Sequence, residues 1–343
     1  MSWHPRDQYL WDFWFAATPN KMHLFYLCAD RLLCKFNPAN KDGLARIGHA
    51  SFGSGGWKQE DSSIISARAG HWDDTSIWSG STFYNEKDQN FYCFYTSRTL
   101  SDLPQWTPLE WQRPQHIGLC ISADASNWQR HIKSDKQPLL ANPGNMDGMD
   151  GVAWRDPYVI SRDGGFQMFV CTRFTPESTY DLTWQSGGAI VALSSDSLTD
   201  WDSSRYEVLA LSREFYQMEV PQVFWRHENS RKKLYLLFCA QEANCSEIRR
   251  RQFGPEGCAT GTYYLQSEWL DEDDSRLPSL SGPATLLAPG LYAGKINFDL
   301  GPQPLFFGFE WCDASGKFAG GLSDARPVTF KEDGEIVLLA HVS

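Results

Sequence analysis

The sequence lacks the long apolar segments that membrane insertion and classical secretion require. It has no run of about 18 uncharged apolar residues, and its amino-terminal residues are not a basic segment followed by an apolar one. Nine cysteines are present, but no pair has the Cys-x-x-Cys spacing of a structural zinc site. Several lie in apolar runs, where a free thiol behaves as a small hydrophobic group. We therefore expect a cytoplasmic protein with no membrane partner, no metal and no cofactor.

Positive charge is also scarce. The chain has 31 Lys and Arg against 42 Asp and Glu, a formal net charge of −11. A protein that binds nucleic acid by neutralising phosphates would have the opposite balance, so we expect no nucleic-acid partner. The one basic run, Arg249-Arg250-Arg251, lies among polar residues and is interpreted as a solvated loop.

Aromatic residues, in contrast, are abundant. The 343 residues include 15 Trp, 13 Tyr and 21 Phe, and 42% of the chain is hydrophobic. No low-complexity segment is present. This composition excludes disordered and fibrous proteins and predicts a substantial buried core.

A faint internal repeat recurs at about 70 residues. Each copy is a strand-like run followed by a polar turn and, in four of the five copies, a tryptophan. The runs begin at Ile47, Ile117, Ile190, Gly261 and Gly320, and the tryptophans are Trp57, Trp128, Trp201 and Trp269.

The segments between these marks have the composition of short strands, and convincing helices are missing. Five units of about four strands each, none able to bury its own face, predict an all-β fold, a five-bladed β-propeller. An immunoglobulin-like sandwich would use only about 100 residues. We expect residues 1–343 to form one such propeller.

The first strand of each propeller blade lies nearest the axis, so the residues that open each unit are candidates for chemistry. Three of these openings carry an acid: Asp12, Asp156 and Glu219. Two carboxylates that flank a glycosidic bond are the minimum for sugar transfer, and a third, beside an arginine, can bind sugar hydroxyls. Asp73 and Asp74 form an alternative acid pair, which we interpret as turn residues.

Aromatic rings accompany these acids. An apolar ring face suits the apolar face of a sugar, so we predict that the rings form the walls of a pocket for a furanose ring. The rings are Trp11, Trp14, Trp78, Trp154 and Tyr292.

Four motifs occur in order along the chain, and with them the sequence resembles glycoside hydrolase families 32 and 68, which include invertases, fructosidases and levansucrases. Further similarity to the last blade of invertases lies at Tyr292-Ala293 and 321–326. The four motifs are Trp11-Asp12-Phe13-Trp14, Trp78-Ser79-Gly80-Ser81, Arg155-Asp156-Pro157 and Glu219-x-Pro221.

This resemblance implies a five-bladed propeller and a role for each matching residue. Asp12 would be the nucleophile that forms a covalent fructosyl intermediate, and Glu219 the general acid/base. Asp156 and Arg155 would bind fructosyl hydroxyls. Trp11, Trp78, Ser79 and Tyr292 would complete the binding of a small carbohydrate substrate. From the length of the chain we expect no carboxy-terminal β-sandwich of the kind that many invertases have.

The sequence departs from these families next to the expected acid/base. Val220 occupies a position where cysteine or arginine is usual, so the leaving group stays open, as does the oligomeric state. Two other functions also stay open: an inverting propeller glycosidase of the arabinanase or xylosidase type, and a propeller that binds glycans without catalysis. A separation of about 5 to 5.5 Å between the two carboxyl groups predicts retention, and about 6.5 to 9.5 Å predicts inversion.

Overall fold

The strands lie in consecutive groups, each of which forms one antiparallel sheet. The computed structural model describes residues 2–60, 65–98, 113–162 and 164–340. Within these residues, 22 strands form five sheets of four or five strands. The predicted all-β, five-bladed propeller is confirmed.

The first two blades each contain four strands, hydrogen-bonded in chain order. Blade 1 contains β1 (Gln8–Thr18), β2 (Lys21–Asp30), β3 (Arg46–Gly53) and β4 (Gly56–Gln59). Blade 2 contains β5 (Ile77–Asn85), β6 (Asn90–Ser97), β7 (His116–Ser122) and β8 (Gln129–Arg130).

The third blade has the same order, and the last two each contain an extra short strand. Blade 3 contains β9 (Met149–Arg162), β10 (Gly165–Phe174), β11 (Gly188–Ser195) and β12 (Tyr206–Leu211). Blade 4 contains β13 (Glu219–Glu228), β14 (Arg231–Ala240), β15 (Gly261–Gln266), β16 (Leu270–Asp271) and β17 (Thr285–Pro289). Blade 5 contains β18 (Leu291–Asn297), β19 (Leu305–Cys312), β20 (Phe318–Leu322), β21 (Arg326–Phe330) and β22 (Ile336–Leu338).

The ring closes through its innermost strands. The first strands contact one another in the order β1, β5, β9, β13 and β18, and β18 contacts β1. A second contact joins the amino terminus to blade 5, where the backbones of Trp3 and Leu322 exchange two hydrogen bonds of 2.8 Å. The amino-terminal segment therefore ties the first blade to the last.

The hydrophobic core lies between the blades as well as within them. The second strands are buried along nearly their whole length, because neighbouring blades cover both of their faces. The buried residues form clusters at successive blade interfaces, and the blade 2–blade 3 cluster includes Phe94 and Met168. This packing uses most of the aromatic surplus.

The sequence repeat corresponds to the third strand of each blade and the turn that follows. The strand-like runs belong to β3, β7, β11, β15 and β20. In blades 2 and 3 the repeat tryptophan closes its turn, since the Trp128 indole donates to the Ala125 carbonyl and the Trp201 indole to the Leu198 carbonyl, both at 3.0 Å. The repeat thus reflects a local hydrogen bond as well as packing.

Two short α-helices occur in the described part of the chain, α1 (Ile132–Lys136) and α2 (Glu247–Phe253). The basic run lies in α2, so its interpretation as a solvated loop is wrong. Arg249 is 1% exposed and donates to the Glu214 carboxylate at 2.9 Å and to the Ala284 carbonyl at 3.0 Å. Its partner acid comes from a distant part of the sequence, which is why the local pattern missed it.

No helix in the described ranges is both long and apolar enough to cross a membrane. All nine cysteines are free thiols; Cys312 is exposed and the other eight are buried.

Candidate active site

The innermost strand of every blade is interrupted at the same level by a shift in register. The shifts fall at Asp12 in β1, Ser79 in β5, 156–157 in β9, 220–221 in β13 and 293–294 in β18. A bulge of this kind bends a strand and redirects a side chain, and bulges are frequent next to active sites. Four of the five bulges contribute a residue to one cavity: Asp12, Ser79, Asp156 and Val220.

The backbone at these bulges is unusual. Asp12, Asp156, Val220 and Ala293 all have positive φ, with values of 20°, 54°, 51° and 51°. Such conformations are uncommon outside glycine and persist where surrounding contacts enforce them. Two of the bulges contain a proline, which lacks the N–H that a continuous ladder would need. This explains the proline of the Arg-Asp-Pro and Glu-x-Pro motifs.

Residues at the bulges or directly beside them line a cavity of about 200 Å³. All three predicted acids, Asp12, Asp156 and Glu219, are in its wall, although they come from blades 1, 3 and 4. A larger, open depression of about 760 Å³ beside α1 contains none of them, so size does not identify the site. The other predicted residues in the cavity wall are Trp11, Trp78, Ser79, Arg155 and Tyr292.

Asp12 has one side-chain donor and two acidic neighbours. The Ser79 hydroxyl donates to its Oδ2 at 2.5 Å. Burial, as the largest cause, and the charge of Asp156 raise the pKa of Asp12, the Ser79 hydrogen bond and the charge of Lys41 oppose the rise, and the resulting pKa is about 7. Glu219 also contributes to the increase. Asp12 therefore exchanges its proton near neutral pH.

Arg155 connects the other two acids. Its Nη2 donates to the Glu219 Oε1 at 3.0 Å, and its Nε lies 3.6 Å from the Asp156 Oδ2. Two glutamines hold the far side of the guanidinium: Nη2 donates to Gln217 at 2.7 Å and Nη1 to Gln115 at 3.2 Å. The arginine is 7% exposed, so its charge acts at close range.

Asp156 is held through its backbone and its carboxylate. Its N–H donates to the Thr96 hydroxyl at 2.9 Å, and its Oδ2 accepts the Val220 N–H at 3.0 Å. Burial raises the pKa of Asp156, the nearby charge of Glu219 adds to the rise, and the charge of Arg155 opposes it. This carboxylate is thus fixed relative to both neighbours.

Glu219 accepts a second hydrogen bond, from the Tyr292 hydroxyl of blade 5. Burial and the charge of Glu219 raise the pKa of Tyr292 well above its usual value, so the phenol keeps its proton and remains a donor. Each oxygen of Glu219 therefore has its own donor, Arg155 on Oε1 and Tyr292 on Oε2.

The aromatic walls differ in part from the prediction. Trp11, Trp78 and Tyr292 line the cavity, but Trp14 and Trp154 do not, and their prediction as wall residues is wrong. Trp14 is 1% exposed and its indole donates to Thr82 at 2.9 Å, while Trp154 is fully buried between blades 2 and 3. The side chains of neighbouring strand residues alternate between faces, so only some rings near a bulge reach the axis.

Several cavity residues were not predicted from the sequence. Phe309 and Trp311 come from β19, where Trp311 packs against Tyr292 with ring centroids 4.8 Å apart. Lys41 comes from the segment between β2 and β3 and lies 4.9 Å from the centre of the Trp11 ring. No motif marks them, because they do not lie on innermost strands. The remaining cavity residues are Leu27, Asp42, Val220 and Gln241.

No group of three or more His, Cys, Asp or Glu residues in the described ranges is arranged to hold a metal ion. The cavity wall supplies four carboxylates, one arginine, one lysine, one phenol and one serine hydroxyl. Such a set can attack a carbon centre, move protons and bind hydroxyl groups.

A family model matches most of the chain. The model of the glycosyl hydrolases family 32 N-terminal domain matches residues 48–308. No curated protein has a sequence that matches this chain.

Solved structures similar to this chain share its fold at low sequence identity. The Bombyx mori GH32 beta-fructofuranosidase is 15% identical with a TM-score of 0.67, and 99% of this chain aligns with 64% of that one. A mutant of that enzyme was solved in complex with sucrose. The Bacillus subtilis levansucrase is 14% identical with a TM-score of 0.67, covering 97% of this chain and 86% of that one.

A third similar structure is an exo-1,5-alpha-L-arabinanase from a bovine ruminal metagenomic library. It is 14% identical with a TM-score of 0.56, and the match covers 97% of both chains. At these identities the likeness establishes the five-bladed fold.

Proposed function

Because this chain belongs to glycosyl hydrolase family 32, we propose that it is a retaining glycoside hydrolase or transglycosylase that acts on β-fructofuranosides. The observation that carries this proposal is the convergence of Asp12, Asp156 and Glu219 on one cavity. The three acids have different surroundings, which suit one acid to act as nucleophile, one to bind hydroxyls and one to act as acid/base.

Asp12 is proposed as the nucleophile. In the first step its carboxylate attacks the anomeric carbon of the fructosyl unit, while the bond to the leaving oxygen breaks and Glu219 gives that oxygen a proton. In the second step Glu219 takes a proton from water or from a sugar hydroxyl, whose oxygen displaces Asp12 from the anomeric carbon. Water gives hydrolysis, and a sugar hydroxyl gives transfer.

The single donor to Asp12 suits this role. A nucleophile saturated by hydrogen bonds would have to lose them to attack, whereas Asp12 accepts one, from Ser79. The charges of Asp156 and Glu219 oppose its ionisation. Positive charge that develops on the sugar ring relieves this repulsion, so the interaction strengthens in the transition state.

Asp156 and Arg155 are proposed to bind fructosyl hydroxyls. Hydrogen bonds to Gln115, Gln217 and Glu219 fix the orientation of the Arg155 guanidinium and therefore the position of its charge. Trp11, Trp78 and Tyr292 supply apolar surface for the ring. A cavity of about 200 Å³ is smaller than the roughly 300 to 1,000 Å³ typical of larger ligands, which favours a single sugar ring at its base.

The substrate class is proposed as a small carbohydrate with a β-fructofuranosyl end. The sucrose complex of the Bombyx mori mutant supports this choice. A cytoplasmic location is proposed from the cysteines, all of which are free.

A second candidate is an inverting glycosidase, favoured by the likeness of the fold to the exo-1,5-alpha-L-arabinanase. In that case Asp12 would activate water, and the product would form with the opposite anomeric configuration in one step. A third candidate, which the sequence left open, is a propeller that binds glycans without cleaving them.

One experiment separates these functions. The protein is incubated with sucrose, raffinose, inulin, sucrose 6-phosphate and aryl arabinosides, and NMR follows the first anomer released. Fructose released with retained configuration supports the proposal, and fructosyl oligomers would identify transfer. Turnover of arabinosides alone, or release with inversion, would overturn it, and binding without turnover would indicate a non-catalytic propeller.

A further inference from the structure

A buried lysine contacts the backbone that follows Glu219, from a strand that contributes none of the three acids. Lys295 belongs to β18 of blade 5 and is 2% exposed. Its Nζ donates to the Val220 carbonyl at 2.6 Å and to the Pro221 carbonyl at 3.2 Å. Both carbonyls belong to the bulge of blade 4 that directly follows Glu219. A buried lysine is costly, so its contacts call for a specific explanation.

The peptide that Lys295 holds is strained. Val220 has φ of 51°, and a β-branched residue at positive φ is a genuine outlier that the surrounding contacts must enforce. Two contacts hold it there from opposite sides. The Val220 N–H donates to Asp156, and the Val220 carbonyl accepts from Lys295. Blades 3 and 5 together therefore enforce the conformation of blade 4 beside Glu219.

Lys295 also interacts electrostatically with titratable groups on four other strands. These are Asp12 on β1, Asp156 on β9, Cys171 on β10 and Cys239 on β14. Burial lowers the pKa of Lys295 to about 8, while the neighbouring acids and thiols oppose the decrease. The amine is therefore mostly charged at neutral pH, and it interacts electrostatically with Asp12 and Asp156, whose own pKa values are raised.

We propose that Lys295 is a positioning residue, which holds the strained Val220–Pro221 backbone so that Glu219 faces the substrate and whose charge keeps the neighbouring acids ionisable. This inference rests on the proposed glycosidase function. It assigns Lys295 no contact with substrate. Its effect passes through the backbone of Val220 and through the field at Asp12.

The alternative is that Lys295 only stabilises the propeller, and the chain offers a matched control for that role. Lys233 on β14 is 3% exposed, and its Nζ donates to the Asp333 carbonyl of blade 5 at 2.8 Å. It joins the same two blades as Lys295, but its charged neighbours are Glu268, Asp333, Arg226 and Arg231, none of which lines the cavity. Lys233→Met therefore removes a comparable interblade contact away from the site.

The test compares Lys295→Met, Lys295→Gln, Lys295→Arg and Lys233→Met with the wild type. Kinetic constants are measured across pH on the fructoside that the wild type cleaves, and near-UV circular dichroism monitors folding. We expect Lys295→Met to lower kcat about 100-fold with a change in KM below about threefold, because displacement by about 1 Å costs that much. The acid limb of its kcat/KM profile should move up by about one pH unit, because Asp12 loses a nearby positive charge.

Lys295→Arg should keep the acid limb within about 0.3 pH units of the wild type, and Lys295→Gln should show the shifted limb despite retaining a donor. Lys233→Met should keep the wild-type kcat and the wild-type acid limb of the kcat/KM profile. If folded Lys295→Met also keeps the wild-type kcat and acid limb, the inference is wrong.

If Lys295→Met does not fold, the acid limbs of Lys295→Gln and Lys295→Arg are compared. Acid limbs at the same pH overturn the inference, and acid limbs at different pH support it.

Failure of the proposed function has a separate signature. If the wild type cleaves none of the fructosides, or if Asp12→Asn cleaves them as fast as the wild type, the glycosidase proposal fails whatever Lys295 does. If the wild type is active and depends on Asp12, the lysine variants test the positioning role alone.

Discussion

Two aspartates with little access to solvent, Asp12 and Asp73, have opposite surroundings. Asp73 is fully buried and accepts three side-chain hydrogen bonds, from Arg68 Nε at 3.1 Å, Arg130 Nε at 2.7 Å and the Tyr95 hydroxyl at 3.0 Å. Asp12 accepts one side-chain bond, from Ser79, and its other close neighbours include two acids. Two arginines and one tyrosine hydroxyl donate to the Asp73 carboxylate, whereas the Asp12 carboxylate has one donor and is repelled by two acids.

This contrast separates a structural acid from a candidate catalytic one. A buried carboxylate with two arginines contributes to the fold only as long as its partners remain. A buried carboxylate with one donor and like-charged neighbours opposes folding and is retained where its reactivity matters. The interpretation of Asp73 as structural agrees with its contacts, which tie the segment before β5 to β6 and β8.

The largest expected effect is on the activity of the variant Asp12→Asn. The amide has nearly the same shape but cannot form the covalent intermediate, so kcat/KM should fall by at least about 10⁴-fold. Steady-state kinetics on the fructoside substrate measure the decrease. Activity within about tenfold of the wild type would exclude Asp12 as the nucleophile.

The matching change at the structural acid should act on stability. Asp73→Asn leaves Arg68 and Arg130 without their shared carboxylate, so we expect the free energy of unfolding to decrease by about 3 kcal/mol. At a temperature where the variant is folded, kcat should stay within about twofold of the wild type. Urea unfolding measures the first quantity. A large loss of kcat in the folded variant would mean that Asp73 takes part in catalysis.

Tyr292→Phe should have a smaller effect on catalysis. It removes the hydroxyl that donates to Glu219 but keeps the ring in the cavity wall. We expect kcat to fall about 10- to 100-fold with little change in stability. Tyr235→Phe is the control, since its hydroxyl donates to the Gly334 carbonyl at 2.8 Å, away from the cavity. Equal kcat values for the two variants would contradict the role of Tyr292.

The smallest expected effect is a pH-dependent gain in stability. The pKa of Asp12 is about 7 in the folded protein against 3.8 for the unconstrained group. The folded state therefore binds this proton more tightly, and ionisation of Asp12 lowers stability as pH rises from about 4 to about 7. Asparagine cannot ionise, so Asp12→Asn should melt about 2 to 4 °C higher than the wild type at pH 8.

The gain for Asp12→Asn should shrink progressively below pH 7 in calorimetric scans at several pH values. Asp73→Asn, which loses a satisfied carboxylate, should melt lower than the wild type at pH 8. If both variants melt at a lower temperature than the wild type at pH 8, ionised Asp12 does not destabilise the folded protein, and the proposed difference between the two aspartates is wrong.

The failures of the sequence analysis have a common physical cause. Trp14 and Trp154 lie close to Asp12 and Asp156 in the sequence, but the alternation of strand side chains and the bulges direct them into the core. Arg249 appeared solvated because Glu214 is distant in sequence. Trp311 lies in the wall because β19 packs against Tyr292. The position of each of these side chains depends on contacts with residues that are distant along the chain.

The sequence by itself determined the number of blades, the strand-turn-tryptophan repeat and the identities of the three acids, because these depend on local composition and short-range spacing. The tertiary structure alone decided which rings face the cavity, why Asp12 exchanges its proton near neutral pH and how Lys295 of blade 5 holds the backbone beside Glu219. These properties depend on burial and on charges brought together from different blades, and both arise only when the ring of blades closes.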